Sequence, residues 1–210
     1  MRGRREEILD AALAIADEHG IDAVSMRAVA ERVGITPMAL YPHVGGKTGL
    51  LDGMLGRLLA ELTAASGEAV GWRRLLREFA HATRQLAHRH PWAAALLFSR
   101  PAVTPEAVGA VDRIYLALLE AGVPASEVPR LERMLSTLIV GYAASESGGR
   151  FQRLNPRGRR DLAVGGALPG HEAIAPWLET PADWDAEFEA DLEDLECLVE
   201  TIVARAGYAR

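Results

Sequence analysis

Cys197 is the only cysteine among 210 residues. A disulfide within the chain is therefore impossible, and a reducing compartment is expected. Its place in an apolar helical seam implies a buried structural thiol rather than a redox sensor. Long apolar runs are missing too. No stretch is long enough to span a membrane, and the N-terminus lacks the apolar core of a signal peptide, so a soluble, cytoplasmic protein is expected. β-branched residues do not alternate with polar ones, whereas alanine and leucine dominate, which implies an all-α fold. No nucleophile–base pair, phosphate loop or metal-ligand set is recognisable, so no catalytic residue, cofactor or metal is expected. His81, His88 and His90 lack a carboxylate at matching spacing. Lysine is almost absent, since Lys47 stands alone beside 22 arginines.

The formal charge is −6 and the pI about 5.6, an acidic balance that at first sight argues against a nucleic-acid partner. Its distribution removes the objection. Residues 1–57 carry net −1, residues 58–160 net +5 and residues 161–210 net −10. The acidity belongs to the C-terminal quarter, and what matters for DNA is the local field at the contacting face.

What is present is concentrated in the stretch from Ser25 to Lys47. Ser25 is a good N-cap, and Ala28, Val29 and Val33 follow at helical spacing. Gly34 suits a left-handed helix end. Ile35 plugs the corner, Thr36 can cap the next helix, and Pro37 fits its first position. Met38 to His43 then makes a short helix, closed by Pro42 nearby and by Gly45-Gly46. The pattern is a helix-turn-helix, whose second helix enters the DNA major groove. A brace helix from about Arg5 to His19 precedes it, with Ile8, Leu9, Ala12, Leu13 and Ala16 buried and Gly20 at its end. Arg2, Arg4 and Arg5 form either a DNA-contacting arm or an ordinary solvated terminus.

From Arg5 to about Leu59 the chain resembles the DNA-binding domain of the tetracycline-repressor (TetR) family of bacterial regulators. The matching residues are Ile8 to Ala12, Gly20, Ser25 to Arg27, Ala30 to Gly34, Leu40-Tyr41, His43, Lys47 and Leu50-Leu51. The resemblance implies an N-terminal three-helix DNA-binding domain over residues 1–48, a connector helix over 47–65, and a helical ligand-binding and dimerisation domain over 66–210. It implies that Arg27 and Tyr41 touch phosphates; for Arg27 the alternative is a surface pair with Glu31. Lys47, at a helix start after two glycines, can share a phosphate with the free N–H groups there. The DNA-facing set is then Ser25, Arg27, Thr36, Pro37, Met38, Ala39, Tyr41, His43 and Lys47. Met38 and Ala39 can meet a thymine methyl but cannot read guanine, so specificity leans on His43 and on shape.

Helix 4, from about Thr48 to Ala65, has an apolar face wide enough to pack on both halves. Further helices are expected over 72–89, 92–99, 107–121, 126–146 and from Asp183 to about Ala206. Trp72, Phe79, Trp92, Phe98 and Tyr115, with polar His81, Thr83 and His88, compose either a filled core or the wall of an effector pocket. The Gly/Pro/Arg-rich stretch Arg150 to Thr180 is a mobile loop or a lid with Trp177 inserted. Leu131, Leu135, Leu138 and Tyr142 repeat at three-and-four spacing, as do Leu192, Leu195, Val199 and Ile202. Such seams either fill the core or pair across a twofold axis as a four-helix dimer interface.

The expected protein is a homodimeric regulator, in this family most often a repressor, released from a palindromic operator by a small-molecule effector. Its two recognition helices would sit roughly 34–36 Å apart. The competing readings are a dimeric DNA-binding regulator without an effector and, remotely, a helical enzyme.

Overall fold

In the computed structural model, residues 3–65, 71–150, 168–178, 180 and 182–208 are described. All regular structure among them is helical. Helix α1 (Arg4–His19) leads through a 3-10 turn (Ile21–Ala23) to α2 (Met26–Val33), α3 (Pro37–Val44) and α4 (Lys47–Ala65). Then follow α5 (Trp72–Arg89), α6 (Ala93–Ser99), α7 (Pro105–Glu120) and α8 (Val128–Ser147). Two short turns, α9 (Pro169–Ala173) and α10 (Ala175–Leu178), precede the long α11 (Trp184–Tyr208).

The caps follow local chemistry. Ser25 Oγ accepts from the Ala28 N–H at 3.1 Å, and Thr104 Oγ1 does the same for Ala107 at 3.3 Å. Asp183 Oδ1 accepts from the Asp185 and Ala186 N–H groups at 3.2 and 3.1 Å, starting α11. Gly34 closes α2 at φ +76, where a side chain would be strained. Two expectations fail at this level. The Thr36 side chain makes no capping bond; its main-chain oxygen accepts from Ala39 N instead. Nor does Pro42 close α3, which runs through it to Val44. The proline removes only the bond to Met38 O, at an exposed position that water can satisfy.

Two apolar clusters hold the chain together. In the first, Ile8, Leu9, Ala12 and Leu40 pack on Leu50 and Met54 of α4. The same cluster continues along α4 through Leu55, Leu58 and Leu62 to Leu86, Leu96 and Ala107. The connector thus carries one unbroken core from the helix-turn-helix to α5, α6 and α7. In the second cluster, Leu76, Ile114 and Leu118 pack with Leu131, Leu135 and Ile139 of α8 and with Phe188, Leu192 and Val199 of α11. Five of the eight residues expected at the dimer interface already pack within the protomer. Leu131, Leu135, Leu192, Leu195 and Val199 are all buried inside the single chain, because α5 and α7 already cover the seams. Leu138 is 50% exposed, while Tyr142 and Ile202 are half-buried. Cys197 is exposed, one step off the buried Leu195–Val199 line, so it is not a core thiol.

Polar links across the helices reinforce the continuity. Arg57 of α4 pairs with Asp10 of α1 at 2.9 Å. Asp17 of α1 accepts from Trp92 Nε1 at 2.7 Å and lies 2.5 Å from His90 Nδ1. Arg100, after α6, holds Asp52 of α4 at 2.6 Å and reaches Thr48 O at 3.2 Å. Among the described residues, no helix is long and apolar enough to cross a membrane.

Candidate DNA-binding interface and effector cavity

On α3 the two inward residues, Leu40 and Val44, are buried, and the exposure of the residues around them follows from that. Thr36, Pro37, Met38, Ala39, Tyr41 and His43 are left outside, with Met38 at 74%. Arg27 is exposed in the first turn of α2 and has no ion-pair partner among the described residues, so the Glu31 pairing does not form. Ser25 is half-buried, with its hydroxyl committed to the cap. Lys47 is exposed at the first position of α4, and its ammonium donates to Val24 O at 2.5 Å. That bond ties the start of α4 to the residue before Ser25 and leaves two ammonium donors unused. Arg4 and Arg5 are not an arm: both lie in the first turn of α1, and Arg4 pairs with Glu7 at 2.7 Å. Arg2 lies outside the described residues.

A cavity of about 750 Å³ opens between α4, α5, the end of α6 with the segment after it, α7 and α8. Phe79, Thr83, Phe98 and Tyr115 line it. The remaining expected pocket residues lie elsewhere. Trp72 borders only a crevice of about 10 Å³ beside Leu76. His81 faces Glu189 of α11 at 3.0 Å and stacks edge-on against Phe188. His88 points to Glu146, 3.1 Å away. Trp92 is turned toward Asp17. Trp177 is 72% exposed on α10 rather than inserted as part of a lid, and most of that Arg-rich stretch, residues 151–167, lies outside the described residues. For His81, His88 and Trp92 a carboxylate remote in sequence takes the polar atom away from the cavity.

The cavity also has contributors outside the expected pocket set. Leu55, Leu59 and Leu62 of α4 form one wall, Arg100 its rim, and Glu132 and Ser136 project from α8. Glu132 and Ser136 stand four residues apart on a helix whose buried face is otherwise mostly apolar. That pair was the available signal.

Beside the cavity, α5, α8 and α11 are fastened by a charged cluster. Arg84 holds Glu146 through two bonds, 2.7 and 2.5 Å long, and reaches Asp185 at 2.8 Å. Arg84 holds the Glu146 carboxyl below its usual range, with a smaller contribution from His88. The Tyr142 hydroxyl donates to Trp184 O at 3.0 Å. Burial, assisted by Glu146, pushes that phenol up to about 12.

Residues 8–54 match the family profile "Bacterial regulatory proteins, tetR family", and residues 66–195 match "Tetracyclin repressor-like, C-terminal domain". The chain belongs to the TetR family. An HTH-type transcriptional regulator of Saccharopolyspora erythraea is 31% identical over 208 residues, covering 97% of this chain and 86% of the relative. The HTH-type transcriptional repressor DrrR1 of Streptomyces coeruleorubidus is 35% identical over 143 residues, 67% of this chain and 53% of that one. ActR of Streptomyces coelicolor, solved with actinorhodin, superposes with a TM-score of 0.79 at 22% identity over 97% of this chain and 99% of its own. This TetR-family chain is thus a transcriptional regulator of all-α architecture, and its relatives are regulators rather than enzymes.

Proposed function

We propose that the chain is a homodimeric, cytoplasmic repressor that releases a palindromic operator when a small molecule fills the cavity above α4. The observation carrying this reading is a direct link between the two sites. Arg100 on the cavity rim grips Asp52 and Thr48 O, one helical turn from Lys47. A ligand that displaces the rim therefore moves the first turn of α4, and with it the helix presented to DNA. It can do so only by binding the released form more tightly than the DNA-bound form. About 1.4 kcal/mol of such coupling suffices for a tenfold loss of operator affinity.

The operator-facing set is Ser25, Arg27, Thr36, Pro37, Met38, Ala39, Tyr41, His43 and Lys47, with phosphate contacts from Arg27, Tyr41 and Lys47. A mobility-shift titration on DNA upstream of the chain's own gene tests it. Lys47→Ala with Tyr41→Phe should weaken binding at every sequence and lower the salt slope by about 1 for each phosphate that is no longer neutralised. Unchanged affinity and slope would remove these residues from the DNA-facing set. A regulator with no effector is the second reading; a cavity of about 750 Å³ with polar groups in its wall speaks against it.

A further inference from the structure

We infer that the effector of this cavity carries a cationic nitrogen, an ammonium or guanidinium on an apolar body, that docks on the Glu132 carboxylate. The inference rests on the cavity being the effector site, as proposed above. Glu132 lies in the second turn of α8, is 8% exposed and lines the cavity. Its Oε1 accepts one hydrogen bond, from Ser136 Oγ at 2.7 Å. No cation pairs with it among the described residues. Glu146, farther along the same helix and also 8% exposed, is held by Arg84 on both oxygens and by His88. Both positions are equally buried, yet only one carboxylate is neutralised from within the chain. The neighbouring arginines do not fill the gap. Arg133 lines the same cavity but is exposed and makes no ion pair with Glu132, and Arg100, on the rim, is committed to Asp52 and Thr48 O.

A carboxylate so buried, with one hydroxyl partner, is left to cavity water for the rest of its solvation. A neutral ligand of matching shape would expel that water and leave the charge bare. A cationic ligand replaces the water with a charge-assisted bond. Glu132 therefore selects by penalising neutral and anionic competitors as much as by attracting cations. The rest of the wall sets the body of the ligand. Phe79, Phe98 and Tyr115 offer ring faces, and Leu55, Leu59 and Ile114 offer aliphatic surface. A volume of about 750 Å³ accommodates a molecule of several fused or linked rings.

Two fluorescent probes differing only at the tail end test this on the full chain. Monodansylcadaverine ends in an ammonium; N-pentyldansylamide ends in a methyl group. Wild-type protein should bind the ammonium probe about tenfold more tightly. Glu132→Gln should abolish that preference without weakening the neutral probe, while Ser136→Ala, which keeps the carboxylate, should retain it. Equal binding of the two probes by wild type overturns the inference, and that comparison needs no variant to fold. A preference that survives in Glu132→Gln, or failure of the ammonium probe to bind at all, overturns it too. Operator binding is read separately by mobility shift without probe. Its loss would defeat the regulatory reading and leave the probe preference standing, and a failed preference would leave operator binding untouched.

Discussion

At Glu146 burial and pairing are balanced, and the balance has a pH signature. Its folded-state carboxyl is depressed below the ordinary 4.5, chiefly by Arg84. Stability from this group is therefore complete above 4.5 and is lost as pH falls through the lower folded value. Tyr142 behaves in the opposite sense. With its phenol raised from 10.0 to about 12, its contribution is complete below 10 and disappears as pH climbs through 12. Glu146→Gln should destabilise the protein by about 3 kcal/mol, the low end for a broken buried pair, because Asp185 still holds the guanidinium. Thermal unfolding at pH 7 should then fall by roughly 6–12 °C. The gap between wild type and variant should narrow as pH is lowered past 4.5. A constant gap down to about pH 3 would mean that Glu146 acts through packing alone.

Among the elements, α4 does the most, and its glycines explain how. A Cβ on Gly53 would stand 2.7 Å from Leu9 Cδ2, so α1 and α4 approach closely only because that side chain is missing. A Cβ on Gly56 would fall on Thr104 Oγ1, the hydroxyl that caps α7. Gly109, by contrast, faces open space on α7. Gly56→Ala should cost about 1–2 kcal/mol through overpacking and a disturbed cap, despite alanine's better helix propensity. Gly109→Ala should stabilise by about 0.5–1 kcal/mol. Chemical denaturation of the two variants measures both, and equal signs would contradict this account of α4. The same helix receives Arg100. Arg100→Ala should leave operator affinity within about twofold and reduce the effector-dependent release by about 1 kcal/mol or more, since only the coupling link is removed. A mobility shift with and without effector separates these quantities.

For the whole molecule, the proposed dimer contacts have to come from what the protomer leaves outside. Leu138, Tyr142 and Ile202 are the accessible members of the two seams, and Leu138 and Tyr142 border a groove of about 510 Å³ between α8 and α11. Asp191 and Asp194 flank that groove with Arg150, so charge as well as apolar area shapes what can sit there. The proposed pairing places α8 and α11 of one protomer against their copies. Leu138→Arg should shift sedimentation velocity toward the monomer and weaken operator binding in parallel, because each half-site then binds alone. A variant that remains dimeric would move the interface to another face.

Whereas the short α9 and α10 lie in a stretch that reads as a loop or lid, the order and type of the longer helices, α1 to α8 and α11, the capping by Ser25, Thr104 and Asp183, the left-handed Gly34 and the outward face of α3 all follow from the sequence by itself. Each depends on neighbours within four residues, where spacing and backbone chemistry decide. The exposure of the α3 residues proposed to face DNA was readable for the same reason, since inward Leu40 and Val44 leave the rest outside. What only the tertiary structure decided is the destination of each half-polar side chain. His81, His88 and Trp92 carry the polarity of pocket residues, yet Glu189, Glu146 and Asp17, remote in sequence, claim them. The seam leucines look free to dimerise until α5 and α7 cover them. Gly56 and Gly109 are the same residue in the same kind of helix, and the start of α7, Thr104 foremost, makes them opposite. Long-range packing assigns partners that local periodicity cannot name, because a helical pattern records which face is apolar and not what will be laid against it.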